Sequence, residues 1–127
     1  MLEDRRKFPR VDVKYSVNII CEGTVIIGEP RDYTFHTYTE NLSEGGVKVI
    51  LEQRLKISSL VQLELFIGDK KTPPIKCKGS VVWVDKINPD GTKPDLFATG
   101  IQFVDFRSHI DQESIGNLVR HFLGKKD

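Results

Sequence analysis

The 127 residues carry 19 lysines and arginines against 18 aspartates and glutamates, a formal net charge of +1. That length suits one domain able to bury a core without metal or disulfide staples, and the near balance of charge argues against DNA or RNA as a partner. No apolar run approaches a membrane span and the start is charged, which argues against membrane insertion and a secretory signal and points to the cytoplasm. The histidines His36, His109 and His121 lie far apart, without metal-ligand spacing.

The cations are unevenly spread. Arg5, Arg6, Lys7 and Arg10 crowd the first ten positions. Pro9 disfavours helix at Phe8 and removes an amide donor, so this segment reads as an extended arm. In an extended chain Arg6 and Arg10 fall on one side, roughly 13 Å apart along the backbone. Guanidinium groups there could grip phosphate or the O6/N7 edge of guanine bidentately, or could simply solubilise the terminus.

Period-two alternation then dominates. Val17, Ile19 and Cys21 form the first set, Val47, Val49 and Leu51 the next, followed by Val61, Leu63 and Leu65. Ile75 and Cys77 alternate with Lys76 and Lys78, the run continues through Val81, Trp83 and Val84, and Ile101 and Phe103 flank Gln102. Such runs predict half-buried strands. Turn signals separate them at Gly23, Gly28-Glu29-Pro30, Gly45-Gly46, Gly68-Asp69 and Pro73-Pro74, with a long polar hairpin loop from Asn88 to Pro94. Short strands at this spacing predict an antiparallel barrel or sandwich. Val49, Leu63, Val81, Trp83, Ile101 and Phe103 are expected inside it. Cys21 and Cys77, neither in a CxxC pair, read as buried and reduced.

Between two of these runs stands Asn41-Leu42-Ser43-Glu44-Gly45-Gly46. Asn41 and Ser43 offer short polar groups at a strand end. Gly45 and Gly46 permit positive φ, so that successive amides could turn towards an anion, although an ordinary turn would use the same residues. Near the end the period changes. Ile115, Leu118, Val119, Phe122 and Leu123 follow the stripe of an amphipathic helix. Ser108 and Asp111 resemble a capping box, Gly124 closes the helix, and Lys125 and Lys126 suit its negative end. Leu118 and Phe122 would plug one barrel end or, alternatively, present a surface to a partner.

Arg6-Lys7-Phe8-Pro9-Arg10 and Asn41-Leu42-Ser43-Glu44-Gly45-Gly46 together resemble the RxxxR and [DN]xSxxG motifs of the PilZ domain family. Val81-Val82-Trp83-Val84 and Gly100-Ile101-Gln102-Phe103 look like that family's late strands, in the right order over nearly the whole chain. The resemblance implies a mainly β protein, a six-stranded antiparallel β-barrel with a C-terminal α-helix. It divides the chain into an arm over residues 1–12 and a barrel domain over residues 13–127. It implies cyclic di-GMP as ligand, with no cofactor. Arg6 and Arg10 would contact guanine and phosphate, Asn41 and Ser43 would contact the nucleotide from the rim, and Gly46 would keep the turn open. Arg5, just before the first motif, goes in this family with two intercalated ligands per protomer. With no attached output domain, such a receptor would signal through an unidentified protein partner or by oligomerisation.

Three other readings compete with this one. Ser43 has no histidine nearby in sequence and no GxSxG surroundings, so an enzyme is not expected. A single-strand nucleic-acid barrel would need stacking rings on a basic groove. Tyr15, Tyr33, Phe35 and Tyr38 offer rings, but basic residues do not alternate beyond the arm. A PilZ-like adaptor that does not bind nucleotide would lack the arginine motif, which is complete here.

Overall fold

The computed structural model describes residues 8–68 and 71–124. Six strands form: β1 (Ser16–Cys21), β2 (Tyr33–Leu42), β3 (Gly46–Leu51), β4 (Leu60–Phe66), β5 (Ile75–Lys86) and β6 (Phe97–Phe106), followed by helix α1 (His109–Gly124). All pair antiparallel in the closed order β1-β2-β3-β6-β5-β4, with β4 returning to β1. Closure leaves no unpaired sheet edge.

Alternation places Val17 and Ile19 of β1, Val49 of β3 and Leu63 and Leu65 of β4 inside, all essentially without solvent contact. The lining of β2 is less apolar. Thr39 is only 1% exposed, and its hydroxyl donates to the Val13 carbonyl while accepting from the Tyr15 amide. A buried hydroxyl is tolerated because both of its hydrogen-bonding roles are met. The free thiols of Cys21 and Cys77 are buried, which pushes their pKa values up to about 11 and about 12 from an ordinary value of 9.0, with the Asp111 carboxylate adding to the rise at Cys77.

Two irregularities break the period. In β5, Val81 pairs with Ile101 but Trp83 pairs with Gly100, so two residues of β5 face one of β6. This bulge reverses the side on which Trp83 lies. Contrary to the expectation from alternation, its ring is only half-buried and lies over Gly100 on the outside of the barrel, whereas Val81 and Ile101 point in. In β6, Lys78 pairs with Asp105 and Gly79 with Phe103, leaving Val104 as the extra residue. Phe103 is accordingly only partly buried and packs against Phe106 with the rings tilted by 59° and centroids 5.3 Å apart.

Helix α1 caps the barrel as the stripe predicts. Ile115 and Val119 are buried, and Leu118, Phe122 and Leu123 pack against the core. Ser108 caps the helix by accepting from the Asp111 amide. Asp111 does not return the bond as a capping box would. Its carboxylate is buried, accepts from the Lys76 amide and pairs with Arg107 at 3.1 Å, and so ties the helix to β5. The hairpin after β5 is organised by Asn88, whose side chain donates to the Thr92 and Pro94 carbonyls and accepts from the Leu96 amide.

Two truncations separate inside from outside. Leu63→Ala should cost about 2–5 kcal/mol in urea unfolding, whereas Trp83→Ala should fall clearly below the ~3–5 kcal/mol expected for a buried tryptophan.

Candidate functional site

The bulge in β5 and a second one in β2 build a transverse row on the outer face. In β2 the register shifts between Thr39 and Asn41, so that Asn41 pairs with Lys48. Lys48 pairs with Gly100, and Gly100 with Trp83. Asn41, Lys48, Gly100 and Trp83 thus cross four adjacent strands, a span of about 14 Å at the usual strand spacing. Above them runs an open groove of about 370 Å³, whose lining also includes Phe8, Arg10, Ser43, Gly45, Gly46, Val82 and Gln102. Among the described residues, the charged ones that line it are the cations Arg10 and Lys48, with no carboxylate. Among the described residues, neither Asn41 nor Lys48 has a side-chain hydrogen bond or ion pair, so both remain available to a ligand.

The arm is anchored to this rim. Val11 and Leu42 exchange backbone hydrogen bonds of 2.8 and 2.9 Å, and Val11 is buried in the core. Val11, within the expected 1–12 arm, is therefore held by the barrel, and the antiparallel register of this bridge sets Arg10 opposite Ser43 at the groove. Phe8 lies across Gly45, where an added Cβ would meet the ring at 2.5 Å. Arg5 and Arg6 lie outside the described residues, as do Lys125 and Lys126.

The turn after β2 is closed by Ser43. Its amide donates to the Gly46 carbonyl at 2.9 Å, and its Oγ accepts from the amides of Gly45 and Gly46 at 3.1 Å each. Those amides turn inward to the hydroxyl rather than outward to an anion. Nor do the two glycines use positive φ; among the described residues that conformation belongs to Gly23, Gly28, Gly91 and Ser58. Glycine is needed at 46 for contact instead: a Cβ there would stand 2.4 Å from the Ile101 carbonyl oxygen. The expected opening of the turn for an incoming ligand becomes, in the structure, close approach of the protein's own β6 backbone.

Of the six site residues that the sequence motifs imply, Arg10, Asn41, Ser43 and Gly46 meet at one groove. Phe8, Lys48, Trp83 and Gln102 join them unforeseen. Lys48 carried a usable signal, since it stands two residues after Gly46 on the polar side of the β3 alternation. Trp83 carried a misleading one, because only the bulge brings it out.

Residues 4–121 match the PilZ domain. The chain belongs to the PilZ domain family. Its fold is similar to that of the inhibitor of motility MotI/DgrA of Bacillus subtilis, with TM-score 0.71 and 18% identity over 98% of this chain and 55% of that one. It is similar to K. pneumonia MrkH in its c-di-GMP complex, with TM-score 0.68 and 18% identity over 98% of this chain and 55% of that one. The PilZ domain of Escherichia coli YcgR with c-di-GMP aligns with TM-score 0.57 and 14% identity, over 96% of this chain and 94% of that one. The chain spans about half the length of MotI/DgrA and MrkH. No curated protein matches it in sequence. Among the described residues, no helix is long and apolar enough to cross a membrane.

Two glycines of the site can be tested directly. Gly46→Ala sets a Cβ against backbone that cannot yield, and should lower the thermal unfolding midpoint by several degrees. Gly100→Ala would place its Cβ 2.1 Å from Trp83 Nε1, and should shift tryptophan emission while leaving the far-UV circular dichroism of the barrel unchanged.

Proposed function

We propose that this chain is a cyclic di-GMP receptor that binds the nucleotide without transforming it. The observation that carries the reading is the groove itself: Arg10 and Lys48 supply positive charge, Asn41 supplies both a donor and an acceptor, Trp83 supplies a flat ring, and no carboxylate among the described residues lines it. The c-di-GMP complexes of MrkH and of the YcgR PilZ domain support the choice of ligand.

In this reading the guanidinium groups of Arg6 and Arg10 clamp phosphate and guanine from the arm. Asn41 reads a guanine edge, and Lys48 faces a phosphate. Trp83 stacks on a base, a contact worth about 1–3 kcal/mol in nucleic-acid complexes. Ser43 acts mainly through the turn that it closes, and Gly46 through the strand contact that keeps this turn in place. An extended arm would put Arg5 on the opposite side from Arg6, where it would serve a second, intercalated ligand, whose additional phosphates call for another cation. Binding draws the arm across the nucleotide, and the ordered arm changes the surface offered to a protein partner. We place the receptor in the cytoplasm, where two unpaired cysteines remain reduced.

Calorimetric titration with cyclic di-GMP tests this. The parent should bind two ligands per protomer, and Arg5→Leu should lower the ratio towards one. Arg6→Ala and Arg10→Ala each remove charge-assisted hydrogen bonds worth about 1.5–3 kcal/mol. The double variant should bind at least about a hundredfold more weakly while unfolding at the parent temperature. A double variant that binds as tightly as the parent would refute the site, and a parent ratio of one would refute the second ligand alone.

A further inference from the structure

One residue of the turn motif does not face the groove. Glu44 stands between Ser43 and Gly45, both of which line it, yet its carboxylate is directed to the helix. There Arg120 Nη1 donates to Glu44 Oε1 at 2.9 Å across 76 positions of sequence, and Nη2 donates to Asn117 Oδ1 at 2.7 Å. The pair lies over Gly116: a Cβ at that position would come within 3.3 Å of both guanidinium nitrogens and 3.4 Å of the Glu44 carboxylate. The bridge thus packs closely over Gly116, and a methyl group there would shift it by only a few tenths of an ångström.

A carboxylate at this position has an electrostatic consequence. Among the described residues the groove offers two cations, and Glu44 is covalently adjacent to two of its lining residues, well within the ~8–10 Å over which solution screening leaves charges coupled. Left uncompensated, its charge would oppose an anionic ligand and offset part of the attraction from Arg10 and Lys48. Arg120 cancels that charge and holds the carboxylate on the far side of the turn.

We propose that Arg120, although it never touches the groove, is an affinity determinant of the nucleotide site: it neutralises Glu44 and thereby makes ligand binding depend on the docking of α1. The inference rests on the receptor reading above. It differs from a simple mechanical latch in the sign of its effects. If the bridge only fastened the helix, removing either partner would weaken binding alike. Under charge compensation the two removals act in opposite directions, because deleting Arg120 exposes a negative charge whereas deleting the Glu44 charge exposes a positive one.

Titration calorimetry with cyclic di-GMP on the parent and on Glu44→Gln, Arg120→Gln, Arg120→Lys and the Glu44→Gln/Arg120→Gln pair distinguishes these. Arg120→Gln should weaken binding by about threefold, as suits a largely exposed ion pair, with the loss shrinking as salt is raised. Arg120→Lys should bind within about twofold of the parent, by the same reckoning. Glu44→Gln should bind at least as tightly as the parent, and the double variant should recover what Arg120→Gln lost. Thermal unfolding of each protein separates loss of charge from loss of fold; should Arg120→Gln not fold, Glu44→Gln alone still gives the sign. Equal weakening by both single variants, or no change in Arg120→Gln, would overturn the proposal while leaving the receptor reading intact. A parent that does not bind cyclic di-GMP would defeat both.

Discussion

Between Val81 and Trp83 strand β5 spends two residues where β6 spends one, and the groove follows from that mismatch. Without the extra residue, strict alternation would send the indole into a barrel already filled by Val49, Leu63, Val81 and Ile101. With it, Val82 and Trp83 both reach the outer face, and the indole settles over Gly100, the one position in the row with no side chain to displace it. A second bulge at the end of β2 performs the matching adjustment for Asn41. Bulges bend and twist a strand locally. Here one at each side of the row aims a polar amide and an aromatic ring over the same stretch of outer surface.

Much of the fold was legible because the strand period is strict wherever a strand is regular. β1, β3 and β4 keep their alternation from end to end, and the helical stripe from Ile115 to Leu123 is buried or packed as its spacing requires. β2 was the least legible strand. Its inner face uses Thr39, whose burial depends on hydrogen bonds to Val13 and Tyr15 that no local pattern announces. The bulges were invisible for a related reason. A bulge is set by pairing with another strand, so Val82 and Val104 look like ordinary members of an alternating run until that partner is known.

The site divides along the same line. Arg10, Asn41, Ser43 and Gly46 stand in short motifs, and their types and order pointed to one ligand surface. Their physical roles were less accessible. Ser43 spends its hydroxyl on two backbone amides, and Gly46 is glycine because the Ile101 carbonyl leaves no room for a Cβ. Both motif residues maintain the rim before any ligand arrives. Lys48 and Phe8 stand in or beside the motifs, but Trp83 and the Arg120 partner of Glu44 come from distant parts of the chain, and only the fold brings them to the site.

In the proposed receptor a cyclic dinucleotide occupies the groove between Asn41 and Trp83. Trp83 is the only tryptophan in the chain, so its intrinsic fluorescence reports on that groove without labelling. Titrating cyclic di-GMP into the parent should change the emission in a saturable way as a base covers the indole, and an equal concentration of GTP should leave it unaltered. An emission spectrum that stays constant through saturating cyclic di-GMP would contradict the account.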